Sequence, residues 1–282
     1  MHLCKRLLAK AIIFSFAAMV SSALSAQESR TYSLGVVPQF EPLELTRIWT
    51  PIIDELERRT GVQLELVGSP SIPEFETKFR NGDFDFAYMN PYHSIMADDA
   101  QGYTPIVRDG SRSLFGILTV HVDSPVLSVS DLNGARIAFP APNALGASLM
   151  MRADLDRLHG ITFTPIYAST HTSAYLNVVL GETEAAGGVM STLKNTSPEI
   201  RDNLRILYET THVAPHPLAA HPRVDAQVAA LVQKGLIEIG ATDQGRALMS
   251  RIPMHEPIAT DRSDYQPLRD MELERYLVMA GQ

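Results

Sequence analysis

Apolar and polar positions along the chain switch repeatedly between two periods, which predicts strands that alternate with helices. The segment Leu43–Thr60 carries apolar residues at helical spacing and ends at Gly61. A short apolar strand, Phe84–Met89, leads directly into Asn90-Pro91. The same patterns predict strands at Tyr32–Val37, Val62–Val67, Leu114–Val122, Arg136–Phe139, Thr164–Tyr167, Ala185–Val189 and Leu204–Leu207. They predict further helices at Ile72–Arg80, from about Leu145 onward, and at Thr172–Leu180, Val224–Ile239, Asp243–Met249 and Tyr265–Met279.

This alternation is typical of α/β proteins, in which mostly parallel sheets are covered by helices on both faces. The sequence contains no internal repeat, low-complexity tract or flexible linker. If the chain forms two lobes, strands that cross between them must therefore join them. Pro215-His216-Pro217 is an extended candidate for one crossing.

The first 26 residues have the pattern of a secretory signal. Basic residues at positions 5, 6 and 10 precede an apolar run over 11–20, and small residues follow it. The run is too short to span a bilayer, which disfavours an uncleaved anchor. We therefore expect an exported protein, cleaved between residues 23 and 26.

Composition narrows the class of partner. The chain has 24 Lys and Arg against 32 Asp and Glu, a net charge of −8, which argues against nucleic acid or an anionic membrane surface as a partner. The single cysteine, Cys4, lies in the predicted signal, so the exported chain has no disulfide or thiol chemistry and must rely on a sizeable core.

The most informative stretch is residues 140–158, PAPNALGASLMMRADLDRL. A turn-prone segment runs into an apolar helix through Asn143, Gly146 and Ser148, with no charged side chain between Pro140 and Met151. The free N–H groups and the positive dipole end of such a helix can bind an anion. An ordinary capped helix start is the alternative.

Two other segments also follow predicted strands and are rich in hydrogen-bonding groups but poor in charge, namely Met89–His93 and Ser169–Ser173. Ligands of open α/β sheets bind beyond the carboxyl ends of the strands. The three segments together therefore favour the anion site over an ordinary helix start.

Several segments, in order along the chain, resemble the phosphonate-binding periplasmic protein family, the substrate-binding components of phosphate, phosphite and phosphonate ABC importers. They are GVVPQF (35–40), WTPIIDELERRTGV (49–62), NGDFDFAYMNPYH (81–93), DLNGARIAF (131–139), APNALGAS (141–148), THTSAYLNVVLGETEAAGGV (170–189) and PHP (215–217). The resemblance implies a type II periplasmic binding protein fold, with two α/β lobes, two crossing strands and a ligand in the cleft. It implies one lobe from residues 27–119 plus 218–282, a second from 120–217, and a periplasmic location.

The family binds phosphonate oxygens at a Ser/Thr-rich turn that opens a helix. The matching positions here have lost most hydroxyls and leave backbone N–H groups and one serine: Asn143, Ala144, Leu145, Gly146, Ala147 and Ser148. The family's oxyanion-binding histidine matches His171, flanked by Thr170 and Ser173. Its acidic positions for a ligand ammonium fall near Ser191 and at His216, neither of which is acidic, so an amine-bearing ligand is disfavoured.

The remaining candidates lie on the first lobe and the crossing. They are Gln39 after the first strand, then Tyr88, Asn90, Tyr92 and His93, and finally His216. A structural role is the alternative for each: Asn90 and Tyr92 could form only a turn, and His93 and His216 could lie outside the cleft. The nine histidines lack metal-ligand spacing, so we expect no metal or cofactor.

The leading hypothesis is a monomeric periplasmic protein that captures a small oxyanion and delivers it to an ABC permease. The alternative keeps the fold but docks it on the ectodomain of a sensor kinase. An enzyme is least favoured, because the three strand-end segments contain no nucleophile elbow and no carboxylate pair.

Overall fold

The computed structural model describes residues 30–38, 42–252 and 254–278. The predicted signal at 1–26 and the candidate Gln39 lie outside these residues. Within the described ranges, no helix has both the length and the apolar character needed to cross a membrane.

The first two helices form where the apolar periodicity placed them. Helix α1 (Pro42–Thr60) buries one face through Leu45, Ile48, Trp49, Ile52, Ile53 and Leu56. Helix α2 (Ile72–Asn81) begins at Ser71, whose side chain accepts a hydrogen bond from the N–H of Glu74. It ends at Gly82, whose φ of 77° is a left-handed conformation that glycine adopts without strain. The predicted helix end at Asn81-Gly82 is confirmed.

Eleven strands in the described residues form two sheets. The first sheet has the order β11-β4-β10-β3-β1-β2 and the second β7-β6-β8-β5-β9. The first contains β1 (Thr31–Val36), β2 (Gln63–Val67), β3 (Phe86–Tyr88), β4 (Thr104–Asp109), β10 (Leu218–Ala220) and β11 (Pro257–Ala259). The second contains β5 (Ile117–His121), β6 (Arg136–Phe139), β7 (Thr164–Tyr167), β8 (Ala185–Gly188) and β9 (Leu204–Glu209).

Helices flank both sheets, which confirms the α/β class. They are α3 (Pro91–Gln101), a π-helical turn (Leu145–Met150) that continues as α4 (Met151–Arg157), α5 (His171–Val179), α6 (Met190–Asn195), α7 (Pro198–Arg201), α8 (Ala226–Gly240), α9 (Asp243–Met249) and α10 (Gln266–Arg269).

The expectation of mostly parallel sheets needs a correction. Strands β6, β7, β8 and β9 run in one direction, but β5 lies antiparallel between β8 and β9. In the first sheet β10 lies antiparallel between β3 and β4. Both intruding strands directly follow a crossing between the sheets. Neither strand is entered through the helical βαβ crossover that makes neighbouring strands parallel, so both sheets are mixed.

The two crossing segments, 110–116 and 210–217, are paired with each other. Leu114 and Val213 exchange two backbone hydrogen bonds of 2.8 and 2.9 Å. The N–H of Thr210 donates to the carbonyl of Gly116, and the N–H of Gly116 donates to Thr210 Oγ1. The crossing is therefore a short two-stranded ribbon, and Leu114, predicted to begin a long strand, belongs to this ribbon. The lobe boundaries at 119 and 217 stay a prediction.

The C-terminal region also differs from expectation. A single helix over Tyr265–Met279 was expected, but the described residues contain two 3-10 turns, Arg262–Tyr265 and Leu273–Tyr276, on either side of α10. Glu272 has a φ of 51°, a left-handed conformation that interrupts a right-handed helix. The expected helix is therefore broken at this residue.

Candidate functional site

One edge of the first sheet gathers three chain segments. Tyr88 at the end of β3 lies opposite Leu218 of β10, and Leu218 lies opposite Val107 of β4. The residues after β3, after β4 and before β10 therefore emerge at the same edge. The N–H of Met89 donates to the carbonyl of Pro217, which fixes two of these segments together. Carboxyl strand ends are where α/β sheets bind ligands.

Tyr88 is a deeply buried aromatic side chain of this edge. It is 1% exposed, and its hydroxyl has no hydrogen-bond partner in the described part of the chain. Its ring lies 5.0 Å from that of Trp49 and stacks on His216 at 5.8 Å. Burial raises the pKa of Tyr88 and lowers the pKa of His216 to about 3. Both groups are therefore neutral at neutral pH.

Asn90 and His93 begin helix α3. Asn90 Oδ1 accepts a 2.7 Å hydrogen bond from the N–H of His93, so Asn90 caps the helix, the structural role weighed against ligand contact. The His93 ring is 5% exposed and packs on Phe79, and its Nε2 lies 3.0 Å from Glu76 Oε1. Its Nδ1 is buried and has no hydrogen-bond partner among the described residues.

Tyr92 occupies a different environment. It belongs to an apolar cluster with Ile95 and Leu149. It also lines a groove of about 440 Å³ together with Arg80 and Glu274. Burial raises the pKa of Tyr92 to about 12, and the negative charge of Glu274 adds to the effect. These contacts give Tyr92 a packing role between α3 and the helix that follows the predicted anion cradle.

The predicted cradle, residues 143–148, begins the π-helical turn that leads into α4. The N–H groups of Ser148 and Leu149 both donate to the carbonyl of Ala144, at 2.8 and 3.0 Å. The preceding amides of the turn, those of Leu145 to Ala147, have no carbonyl one turn earlier within the helix to bind. Gly146 and Ala147 are buried, so these donors are shielded from bulk solvent.

The polar side chains of the cradle bind the protein itself. Ser148 Oγ donates to the carbonyl of Pro142 at 2.9 Å and accepts from Arg152 Nε at 3.2 Å. Asn143 Nδ2 donates to the carbonyl of Val278 at 2.9 Å, and the N–H of Val278 donates back to Asn143 Oδ1 at 3.0 Å. The Ser148 hydroxyl proton is thus committed to the loop, which leaves backbone N–H groups as the donors of the cradle.

The third segment predicted to bind ligand, Ser169–Ser173, follows β7. Thr170 caps α5: its Oγ1 accepts from the N–H of Ser173 at 3.0 Å and donates to Ser173 Oγ at 2.8 Å. His171 Nδ1 is buried without a hydrogen-bond partner in the described ranges, and burial lowers the pKa of His171. Ser169, just before the cap, has a φ of 69°, a strained conformation for a residue with a side chain.

Arg112, which the sequence patterns did not single out, lies on the first crossing segment at the same sheet edge. Its Nε is 3.0 Å from Asp109 Oδ2, and Asp109 is fully buried. The available signal was a cation three residues beyond the end of a strand, in DGSR. Within the described ranges no group of three or more His, Cys, Asp or Glu residues could hold a metal ion.

Comparisons with known proteins agree with this architecture. Residues 34–265 match the family model described as "ABC transporter, phosphonate, periplasmic substrate-binding protein". The chain therefore belongs to this family of substrate-binding transporter components.

Individual relatives are distant. The phosphonates-binding periplasmic protein of Escherichia coli K12 is 20% identical over 275 residues, 93% of this chain and 81% of that protein. PhnD1 of Prochlorococcus marinus, solved with methylphosphonate, superposes with a TM-score of 0.68 at 12% identity, covering 89% of this chain and all of that one. XAC2383 of Xanthomonas citri, solved with chloride, gives 0.73 at 16% identity, covering 87% and 98%. At these identities the superpositions establish the fold.

Proposed function

We propose that the protein binds a small tetrahedral oxyanion of the phosphonate or phosphite class between its two sheets and delivers it to an ABC permease. One observation carries this proposal. Three candidate residues, Tyr88, His93 and His171, each hold a buried polar side-chain atom that has no hydrogen-bond partner within the described residues. Buried polar atoms are normally paired, so unpaired ones at strand ends favour a ligand that pairs them.

The cradle supplies the complementary part of the site. The amides at the start of the π-helical turn, Leu145 to Ala147, point off a positive helix end. Such a cradle recognises oxygen atoms without a charged side chain. Charge-assisted hydrogen bonds contribute about 1.5–3 kcal/mol each, and micromolar to nanomolar affinity needs roughly 8–12 kcal/mol, so a few such bonds account for much of the binding.

The ligand should carry no ammonium group. The resemblance places the family's acidic positions near Ser191 and at His216, which are not acidic here, and burial keeps His216 neutral because it lowers its pKa to about 3. A phosphonate or phosphite without an amine needs no acidic partner. The methylphosphonate bound to Prochlorococcus PhnD1 has this chemistry.

The paired crossing segments are suited to closure around the ligand. A two-stranded ribbon of 110–116 and 210–217 can bend at a few backbone positions while both sheets stay rigid. The family is one of transporter components, which favours an ABC permease as the partner. Permease and ATPase genes beside its own gene would support this partner, whereas a kinase–regulator pair would support the sensor alternative.

A thermal-shift titration tests the proposal. The purified protein is titrated with phosphate, phosphite, methylphosphonate, aminoethylphosphonate and sulfate. A ligand at 100 times its Kd stabilises the native state by about 2.7 kcal/mol, which raises Tm measurably. We expect a saturable shift with a phosphorus oxyanion that lacks an amine. No shift with any of the five would overturn the proposal.

A further inference from the structure

Arg112 emerges at the sheet edge where Tyr88 and His216 meet. Val107, Leu218 and Tyr88 lie side by side across β4, β10 and β3. Asp109 is two residues, about 6.6 Å, further along β4 toward this edge, and Arg112 follows in the crossing segment. The side chain is therefore attached to the ribbon between the two sheets.

A buried carboxylate forms an ion pair with one nitrogen of Arg112, without hydrogen-bond geometry at that oxygen. Arg112 Nε lies 3.0 Å from Asp109 Oδ2, and Asp109 is 0% exposed. The other oxygen, Oδ1, accepts from the N–H and hydroxyl of Ser111 and from the N–H of Glu256, at 2.7–3.1 Å. Burial opposes ionisation, but these hydrogen bonds outweigh it and keep the pKa of Asp109 below its ordinary value.

The ion pair with Asp109 leaves the terminal nitrogens of the Arg112 guanidinium available. The terminal nitrogens of Arg112 make no hydrogen bond within the described ranges, and the side chain is 41% exposed. The positive charge of Arg112 acts on Tyr88 and His216, since it opposes the burial-driven rise in the pKa of Tyr88 and adds to the fall in the pKa of His216. A partly exposed guanidinium, ion-paired with Asp109, thus lies near the buried and unpaired hydroxyl of Tyr88.

We propose that Arg112 is the cationic ligand contact of the site, binding two oxygens of the oxyanion through its terminal nitrogens while Asp109 fixes its orientation. The inference rests on the proposed function and deepens it. A guanidinium fork matches two oxygens of a tetrahedral anion, and its charge favours a dianion over a monoanion. Arg112 would thereby select phosphonates over sulfonates of the same shape.

Calorimetric titration with methylphosphonate and with methanesulfonate tests this role. Arg112→Gln should weaken methylphosphonate binding about 10- to 100-fold. Arg112→Lys keeps a positive charge but loses the forked guanidinium, so its affinity for methylphosphonate should fall less than that of Arg112→Gln. The wild type should prefer methylphosphonate, and Arg112→Gln should narrow that preference. Arg136→Gln, an exposed arginine of the second sheet, removes the same charge and should bind as the wild type does.

The outcomes separate the two proposals. If the wild type binds methylphosphonate and Arg112→Gln binds it equally well, the inference is wrong and the proposed function stands. If the wild type binds neither anion, the same variants are titrated with phosphite; if it binds none of these and none of the five thermal-shift anions, both are overturned. Ligand-free melting temperatures show whether each variant is folded. If Arg112→Gln does not fold, Arg112→Lys decides: unchanged affinity and preference in that variant would overturn the proposed fork.

Discussion

Gly116 of the crossing ribbon and Gly146 of the cradle pack backbone against backbone. A Cβ atom added to Gly116 would lie 2.0 Å from the carbonyl oxygen of Gly146, and one added to Gly146 would lie 3.2 Å from the carbonyl oxygen of Phe115. The obstructing atoms are backbone, so no side-chain rotation relieves the contact. Glycine at position 116 therefore lets the start of the π-helical turn rest directly on the ribbon.

Gly116→Ala should displace the cradle and destabilise the protein by about 1–3 kcal/mol. Urea unfolding measures the stability, and calorimetry with methylphosphonate measures binding, which should be lost. Gly68→Ala is the matched control, because a Cβ there meets no atom within 4 Å. Equal behaviour of the two variants would show that the close packing of Gly116 on Gly146 is unimportant.

Tyr88→Phe should affect stability and binding in opposite directions. Its hydroxyl is buried without a hydrogen-bond partner in the described residues, so removing it leaves the free energy of unfolding unchanged or raises it by up to about 1 kcal/mol. If the hydroxyl contacts the ligand, affinity should fall about 10-fold.

Tyr103→Phe is the matched control for this prediction. The hydroxyl of Tyr103 donates a 2.6 Å hydrogen bond to the carbonyl of Phe84, so its loss should lower stability by about 1 kcal/mol and leave affinity unchanged. A Tyr88→Phe protein that is clearly less stable and binds normally would assign the hydroxyl a purely structural role.

Anion binding should be coupled to proton uptake at His171. Burial lowers the pKa of His171 in the free protein, and a bound anion would raise it. Affinity should therefore increase as pH falls through the pKa of the bound form, with uptake of up to about one proton per ligand. Titrations in two buffers of different ionisation enthalpy measure the uptake. His171→Asn should abolish this proton uptake, whereas His121→Asn on the second sheet should leave it unchanged. If proton uptake persists in His171→Asn, another group takes up the proton.

The protein should lose stability as pH rises because the buried carboxyl of Asp154 ionises. Burial raises the pKa of Asp154 despite hydrogen bonds from the N–H of Thr211 and the hydroxyl of Tyr208. A carboxyl with a raised folded-state pKa contributes stability below its unfolded value of about 3.9, and this contribution is lost as pH rises through the folded value.

Urea unfolding of Asp154→Asn between about pH 4 and pH 7 checks this sign, because the variant should lack that part of the pH-dependent loss. Asp123→Asn, an 87% exposed carboxylate, should retain it. An unaltered pH profile in Asp154→Asn would contradict the prediction.

Local patterns predicted most of the fold. The buried face of α1 follows directly from its apolar spacing, and Asp243–Met249 is helical over the range expected. Helix α3 was missed although its signal was present: Asn90 followed by Pro91 is typical of a helix start as well as of a turn. The position of β10 between β3 and β4 depends on contacts across more than 100 residues, which no local period encodes.

In the candidate site too, local patterns predicted some features, whereas others depend on contacts between distant residues. Tyr88 and His171 lie in segments that follow predicted strands, but strand ends do not reveal which polar atoms the protein itself pairs by hydrogen bonds. Ser148 accepts a hydrogen bond from Arg152, one helical turn away. Asn143 donates to the carbonyl of Val278, which is distant in sequence. Arg112 went unnoticed because its proximity to Tyr88 arises only when three strands assemble.

The interleaved first sheet also dictates an order of folding. Strands β10 and β11, the partners of β4, come from residues 218–259, whereas the second sheet is contained without interruption in residues 117–209. Pairing β4 with β10 closes a loop that contains the whole second sheet, and this closure has an entropic cost. During synthesis the first sheet therefore cannot be completed until residue 259 has emerged, whereas the second sheet needs only the residues up to 209.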